Sequence, residues 1–312
     1  MILTVTMNPS VDISYPLTEF NLDTVNRVQE VSKTAGGKGL NVSRVIHLMD
    51  EKLTATGIVG GFLGKFIQKQ LDETGIPHHF SEIEEESRNC IAILHDGQQT
   101  EILESGPTIT KEQSDAFLSV FDSLLNDTEI VTISGSLPKG INPTFYNQLL
   151  DECAQKNIPV LLDSSGNSLK EALQHKNKPY LIKPNLEELQ QLTQTEKKDL
   201  GTSELISLLE KPLLKDIPVI VVSMGKDGAF ARWEGHYYRV FIPKINAVNP
   251  VGSGDSTIAG LAVAIEKHQS PFDALKTAMT TGMLNTMEEK TGHIEKAHFD
   301  HYFDQVSIEE VK

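Results

Sequence analysis

Residues 159–166 read PVLLDSSG, a short apolar run that breaks off into aspartate, two serines and a glycine. The same shape recurs at IVTISGSLP (130–138), YLIKPN (180–185) and VIVVSMGKDG (219–228). From about residue 130 onward such β-branched runs alternate with helical segments, which predicts a parallel sheet with crossover helices and hence an α/β fold. In open α/β sheets ligands bind beyond the carboxyl ends of the strands. Ordinary turn chemistry accounts for any one of the four endings; four together point to a site.

The first 105 residues follow a different pattern. NCIAILHDGQQTEILE (89–104) alternates apolar and polar residues around Asp96-Gly97, the signature of a hairpin closed by a type I′ turn. A second alternating stretch, residues 2–15, supplies either a companion strand or the first strand of the main sheet. A two- to four-stranded antiparallel piece of this size cannot close a core of its own, so it is expected to lie over the main domain as a lid or to pair with a copy of itself. No internal repeat, low-complexity tract or flexible linker divides the 312 residues, and one domain is expected over 1–312, with lid strands from roughly 10–30 and 88–105.

Two glycine clusters stand where helices begin. PVGSGD (250–255) runs into TIAGLAVAI, so unpaired N–H groups and the positive end of a helix dipole form an anion site there, with Asp255 at or near the cap. Either Asp255 is a functional carboxylate, or it is only an N-cap and the glycines only a turn. TAGGKGLN (34–41) also enters a helix, expected over 40–49; Gly36 and Gly37 offer backbone that a ligand can approach, with Lys38 and Asn41 beside them. It is not a Walker A loop, and GSGDST is not a dinucleotide fingerprint.

An anion-binding helix end with a carboxylate, next to polar groups suited to a hydroxylated substrate, suggests phosphoryl transfer from a nucleotide to an alcohol. In that chemistry the protein mainly positions reactants and neutralises charge. Asp255 would accept the acceptor proton, and the N–H groups of Gly252, Ser253, Gly254 and Asp255 would hold the moving phosphoryl. In KPNLEEL (183–189), Asn185 and Glu188 lie three apart, placed either to organise water around a magnesium ion or to form a capping box.

Composition narrows the partners. Lys and Arg number 28 against 43 Asp and Glu, a net charge of −15 that disfavours nucleic acid and anionic membranes and favours small molecules. Cys90 and Cys153 have no metal-ligand or CxxC spacing, which fits a reduced cytosol. The start lacks a signal-peptide pattern and no apolar stretch reaches 18 residues, so a cytoplasmic protein is expected.

GGKGLN, the Asn-x-x-Glu of KPNLEEL, SMGKDGA and NPVGSGD together resemble the ribokinase-like carbohydrate kinases, the phosphofructokinase B family, over nearly the whole chain. TMNPSVD, VNRVQEVSKTAGGKGLNVSR, SGSLPKG and LLDSSG are most similar to the branch that phosphorylates sugar phosphates. The resemblance implies a three-layer α/β/α fold with a β-sheet lid, and ATP and Mg2+ as cofactors. It also implies transfer of the γ-phosphoryl to the 1-hydroxyl of tagatose 6-phosphate, giving tagatose 1,6-bisphosphate; fructose 1-phosphate is the rival substrate.

By the same resemblance Asp255 matches the base, and Gly252, Ser253 and Gly254 the anion hole. Asp12, Gly36, Gly37 and Asn41 match sugar contacts, and Asn185 and Glu188 the metal and phosphate motif, with Lys183 beside it toward the nucleotide. Ser223, Gly225 and Gly228 match the nucleotide loop, and Asn285 is expected beside the adenine. Arg27, Lys38 and Arg88 are the cations available to the sugar's own phosphate, since forked arginine donors suit phosphate.

The family's second signature commonly reads GAGD followed by x-Phe; here Ser253 replaces Ala and Thr257 stands in place of Phe, changes that leave the N–H groups but alter local packing. Lid sheets of this family often pair between subunits, so a homodimer through the lid is the expected assembly. A dehydrogenase would need a glycine-rich loop after the first strand, which TMNPSVD does not supply. A non-catalytic sugar-phosphate sensor is the alternative from another class; it has no use for Asp255 and the GSG loop.

Overall fold

The apolar strands are buried on both faces because helices cover both. Within Val219–Ser223, Val219 and Val221 join one core while Ile220 and Val222 join the other, and the period-two alternation repeats at Ile130/Val131 and Leu161/Leu162. The computed structural model describes residues 1–197 and 200–311.

In chain order its first half contains β1 (Ile2–Thr6), β2 (Ser10–Pro16), β3 (Ser32–Gly36), α1 (Lys38–Leu48), β4 (Leu53–Gly60), α2 (Gly61–Thr74), β5 (Ser81–Ile83), β6 (Arg88–His95), β7 (Gln98–Leu103), α3 (Lys111–Leu124), β8 (Ile130–Ser134) and α4 (Phe145–Gln155). There follow β9 (Val160–Asp163), α5 (Gly166–Gln174), β10 (Leu181–Ile182), α6 (Leu186–Thr193), α7 (Thr202–Leu209), β11 (Val219–Ser223), β12 (Ala229–Trp233) and β13 (His236–Phe241). The chain closes with α8 (Ser253–Glu266), α9 (Pro271–Thr286), α10 (Phe299–Gln305) and β14 (Ser307–Val311).

A 10-stranded sheet runs β14-β13-β12-β11-β10-β9-β8-β1-β4-β5. It is parallel from β11 to β5 and antiparallel from β11 to β14. Buried residues of α1, α2, α8 and α9 pack on one face and those of α3, α4, α5, α6 and α7 on the other. This is the three-layer α/β/α arrangement expected from the sequence. The edge of β12, β13 and β14 was not anticipated.

A second sheet, β3-β2-β6-β7, forms the lid. Residues 2–15 supply both alternatives considered above, since β1 belongs to the main sheet and β2 to the lid. Asp96 and Gly97 have φ of 50° and 70°, the two positive values of a type I′ turn, and close β6 on β7. Two expectations are corrected. The lid is mixed rather than antiparallel, because β2 pairs with β6 in parallel. Residues 17–31 are an irregular exposed segment instead of strand, and the further lid strand is 32–36.

Candidate active site

The site assembles where the carboxyl ends of β1, β8, β9, β10 and β11 meet the N-terminus of α8. Gly252 is the N-cap of α8 at φ 81°, and a Cβ there would sit 2.5 Å from Thr291 Cγ2, so glycine is required. Asp255 is therefore the third helical residue and caps nothing. It stands near the cap, as expected, without being the N-cap: its carboxylate points inward, 6 % exposed, and accepts a 2.8 Å hydrogen bond at Oδ2 from Asn41 Nδ2.

Four charged groups surround it: Asp163, Lys183, Lys38 and Arg44. Lys183 directly follows β10 and is 6 % exposed, its ammonium against Gly254; its Nζ lies 3.9 Å from Asp163 Oδ1. Lys38, at the start of α1, reaches within 4.0 Å of Asp163 Oδ2 from the other side. Burial, and after it the Asp163 charge, push the Asp255 carboxyl up to about 6 against the pull of Asn41, Lys38 and Lys183. The Asp163 charge holds the Lys38 ammonium above its usual range. Asp163 ends the run quoted first, yet its place between two lysines was not read from sequence; a buried carboxylate at a strand end was the available signal.

An inner strand of the lid supplies a third carboxylate. Asp12 in β2 accepts from Ser10 Oγ at 2.6 Å, and burial raises its carboxyl despite the Arg44 and Arg88 charges nearby. A Cβ on Gly36 would lie 2.0 Å from Asp12 Cγ, so this glycine leaves the carboxylate its space. Gly37, at φ 105°, is the N-cap of α1. Thr6 and Ser134 carry buried hydroxyls and Asn8 a buried side-chain Oδ1 with no hydrogen-bond partner among the described residues, at or just beyond the ends of the neighbouring strands β1 and β8. Such atoms favour a hydroxylated ligand or water.

Arg88 is spent partly on the lid: its Nε donates to the Asn8 carbonyl and Nη1 to that of Glu104. Arg27 lies on the exposed 17–31 segment, and no hydrogen bond or ion pair among the described residues joins it to the others. Asn41 has less to offer a sugar than expected, because its carbonyl accepts from Arg44 and one amide N–H goes to Asp255. Arg44 itself was missed.

On the other side, Ser223 N donates to Pro184 O at 3.0 Å and Asn185 bridges to Ser223, so the loop expected to take the nucleotide and the Asn-x-x-Glu motif meet. Gly225 and Gly228, both at positive φ, bound the short turn between β11 and β12. Asn185 and Glu188 form the capping box of α6. One Glu188 oxygen is used by Asn185 N, and the other carries no hydrogen bond. The box therefore leaves one carboxylate oxygen without a partner among the described residues, which fits a hydrated metal ion.

Asn285 is corrected: it is wholly buried, donating to Val251 O at 2.9 Å and accepting from Gly292 N at 2.7 Å. It holds the glycine loop from beneath, and no ligand face remains on it.

A glycine-built helix end, a buried carboxylate, a lysine at a strand end and another at a helix start, with a sheet lid, define a phosphotransferase acting on small hydroxylated substrates. The chain belongs to the pfkB family of carbohydrate kinases, whose profile matches residues 5–297. Among solved structures it is similar to a Staphylococcus aureus protein provisionally called a phosphofructokinase (33 % identity, 100 % of this chain and 99 % of that one, TM-score 0.83). It is also similar to a Thermotoga maritima protein provisionally called a 1-phosphofructokinase (25 %, 100 % and 99 %, TM-score 0.87). The Escherichia coli phosphofructokinase-2, solved with potassium, shares the fold (23 %, 97 % and 98 %, TM-score 0.89). The protein is an ATP-dependent sugar kinase of ribokinase-like fold.

Proposed function

We propose that this kinase is a tagatose-6-phosphate kinase, moving the γ-phosphoryl of ATP to the 1-hydroxyl of tagatose 6-phosphate to give tagatose 1,6-bisphosphate. The observation that carries the chemistry is Asp255, buried one turn into α8 beside Lys183 and hydrogen-bonded to Asn41. The sugar assignment rests on the motif resemblance around residues 6–12 and 25–44. Fructose 1-phosphate is the second reading, favoured by the name of the Thermotoga maritima neighbour.

Asp255 orients the acceptor hydroxyl and takes its proton as the P–O bond forms, a role open to a weak base when the transition state is loose. The N–H groups of residues 252–255, with Lys183, receive the transferring phosphoryl. Asp12 and the free N–H of Asn41 bind sugar hydroxyls, while Arg88 and Lys38 face the sugar's phosphate. Ser223, Gly225 and Gly228 line the nucleotide. Asn185 and Glu188 would hold magnesium through water; when bound, the ion neutralises charge on the β- and γ-phosphates. The two free cysteines fit a cytoplasmic setting.

The test is ATP consumption with tagatose 6-phosphate, fructose 6-phosphate and fructose 1-phosphate side by side, with Asp255→Asn as control. Turnover should favour tagatose 6-phosphate and fall about 10³-fold or more in the variant. Preference for another sugar phosphate overturns the substrate assignment; full turnover by the variant overturns the base.

A further inference from the structure

Arg44 is half-buried on α1, one turn beyond Asn41. Its guanidinium has three acceptors: Asn41 Oδ1 at 3.2 Å, the Ala35 carbonyl at 2.5 Å and the Thr291 carbonyl at 2.8 Å. Burial works against its charge, while Asp12 and Asp255 on either side favour it. Ala35 is the penultimate residue of the lid strand β3, which ends at Gly36. Thr291 precedes Gly292, whose N–H is bound by Asn285, the residue that also holds Val251 before the phosphoryl loop.

An arginine can only donate, so the Asn41 atom it touches must be the carbonyl oxygen. The amide nitrogen is then turned toward Asp255, an acceptor when ionised. A free asparagine side chain flips between two orientations of similar shape, one of which would present oxygen to the carboxylate.

We propose that Arg44 is a positioning residue: it fixes the Asn41 amide with its N–H toward Asp255, and ties that orientation to the lid strand and to the loop beneath the phosphoryl site. The proposal rests on Asp255 being the base, but its test does not need turnover.

The charged groups facing Asp255 are Asp163 at the end of β9, Lys183 after β10, and Lys38 and Arg44 on α1; Glu188 and Asp12 act through Lys38 and Arg44. The proton affinity of Asp255 in the free protein is read from the pH dependence of the stability difference between chains carrying Asp and Asn at 255. That measurement is made in the wild type, in Arg44→Met, in Asn41→Ala and in the double variant.

Arg44→Met should raise the proton affinity at least about threefold, because the fixed hydrogen bond to the ionised form is lost. In the Asn41→Ala background the same substitution should add little. Arg44→Lys, with one ammonium shared among three carbonyls, should give a smaller rise, and decides by the same criterion if Arg44→Met does not fold. An unmoved proton affinity, with stability alone reduced, overturns the proposal. So does an equal rise with and without Asn41, which would mean that Arg44 acts by bare charge.

Discussion

Asp255 sets a conflict between stability and chemistry at one atom group. Its folded-state value of about 6 lies above the ordinary 3.8. The buried carboxyl therefore costs nothing below pH 3.8, where it is protonated both folded and unfolded, and destabilises the fold as pH rises through 6. Asp255→Asn should be more stable than the wild type at pH 8 by about 3 kcal/mol, the gain shrinking to nothing near pH 4. Thermal or urea unfolding across that range checks it; equal stabilities at pH 8 would show that the carboxylate is better solvated than its burial implies. In the same window kcat/KM should fall as pH drops below about 6, as the base takes up its proton.

At the scale of elements, the site depends on how closely α8 and α9 approach. Thr257, standing where the family commonly has Phe, donates to Ser253 O, and Gly282 of α9 lies directly against it. A phenylalanine ring would not fit that spacing. About one and a half turns along α8 from Asp255, a Cβ on Gly260 would come within 2.4 Å of Thr281 Oγ1 and 2.9 Å of Ala278 Cα. Helix propensity alone favours Gly260→Ala by about 1 kcal/mol. The contact is with backbone as well as side chain, so overpacking prevails, and the variant should lose about 1–3 kcal/mol net by denaturant unfolding. A stabilised variant would mean the helices separate at little cost.

At the scale of the molecule, the lid leaves Leu94, Ile102 and Leu103 exposed, the last at 60 %. Leu94 and Leu103 lie on one face of the lid and Ile102 on the other, and exposed apolar side chains of this kind suit pairing of the lid with a copy of itself. The proposed homodimer through the lid should dissociate in Ile102→Lys with Leu103→Lys, as read by sedimentation velocity. An unchanged sedimentation coefficient in the variant would place any assembly elsewhere.

The strand ends were legible because each strand of a covered parallel sheet is one uninterrupted apolar run, and its end is a local event in the chain. The Asp96-Gly97 turn and the two glycine-started helices were legible for the same reason: positive φ and helix caps are decided by a few adjacent residues. Lid strand β3 was not, since SKTAG carries no alternation and is strand only because β2 pairs with it. Nor was the antiparallel edge, whose strands are held by one another and by the last residues of the chain.

Sequence by itself determined the α/β class, the sugar-kinase family and the glycine-started helix that carries Asp255, because motif spacing and period are properties of neighbours. Only the tertiary structure decided that Asp255 is no cap, that Asn285 lies beneath the loop rather than against a ligand, and that Asp163, Lys38, Lys183 and Arg44 converge on one carboxylate. Those facts depend on distance across 214 residues of chain, as between Asn41 and Asp255, and on burial, which shifts charge and fixes rotamers only once the layers have closed.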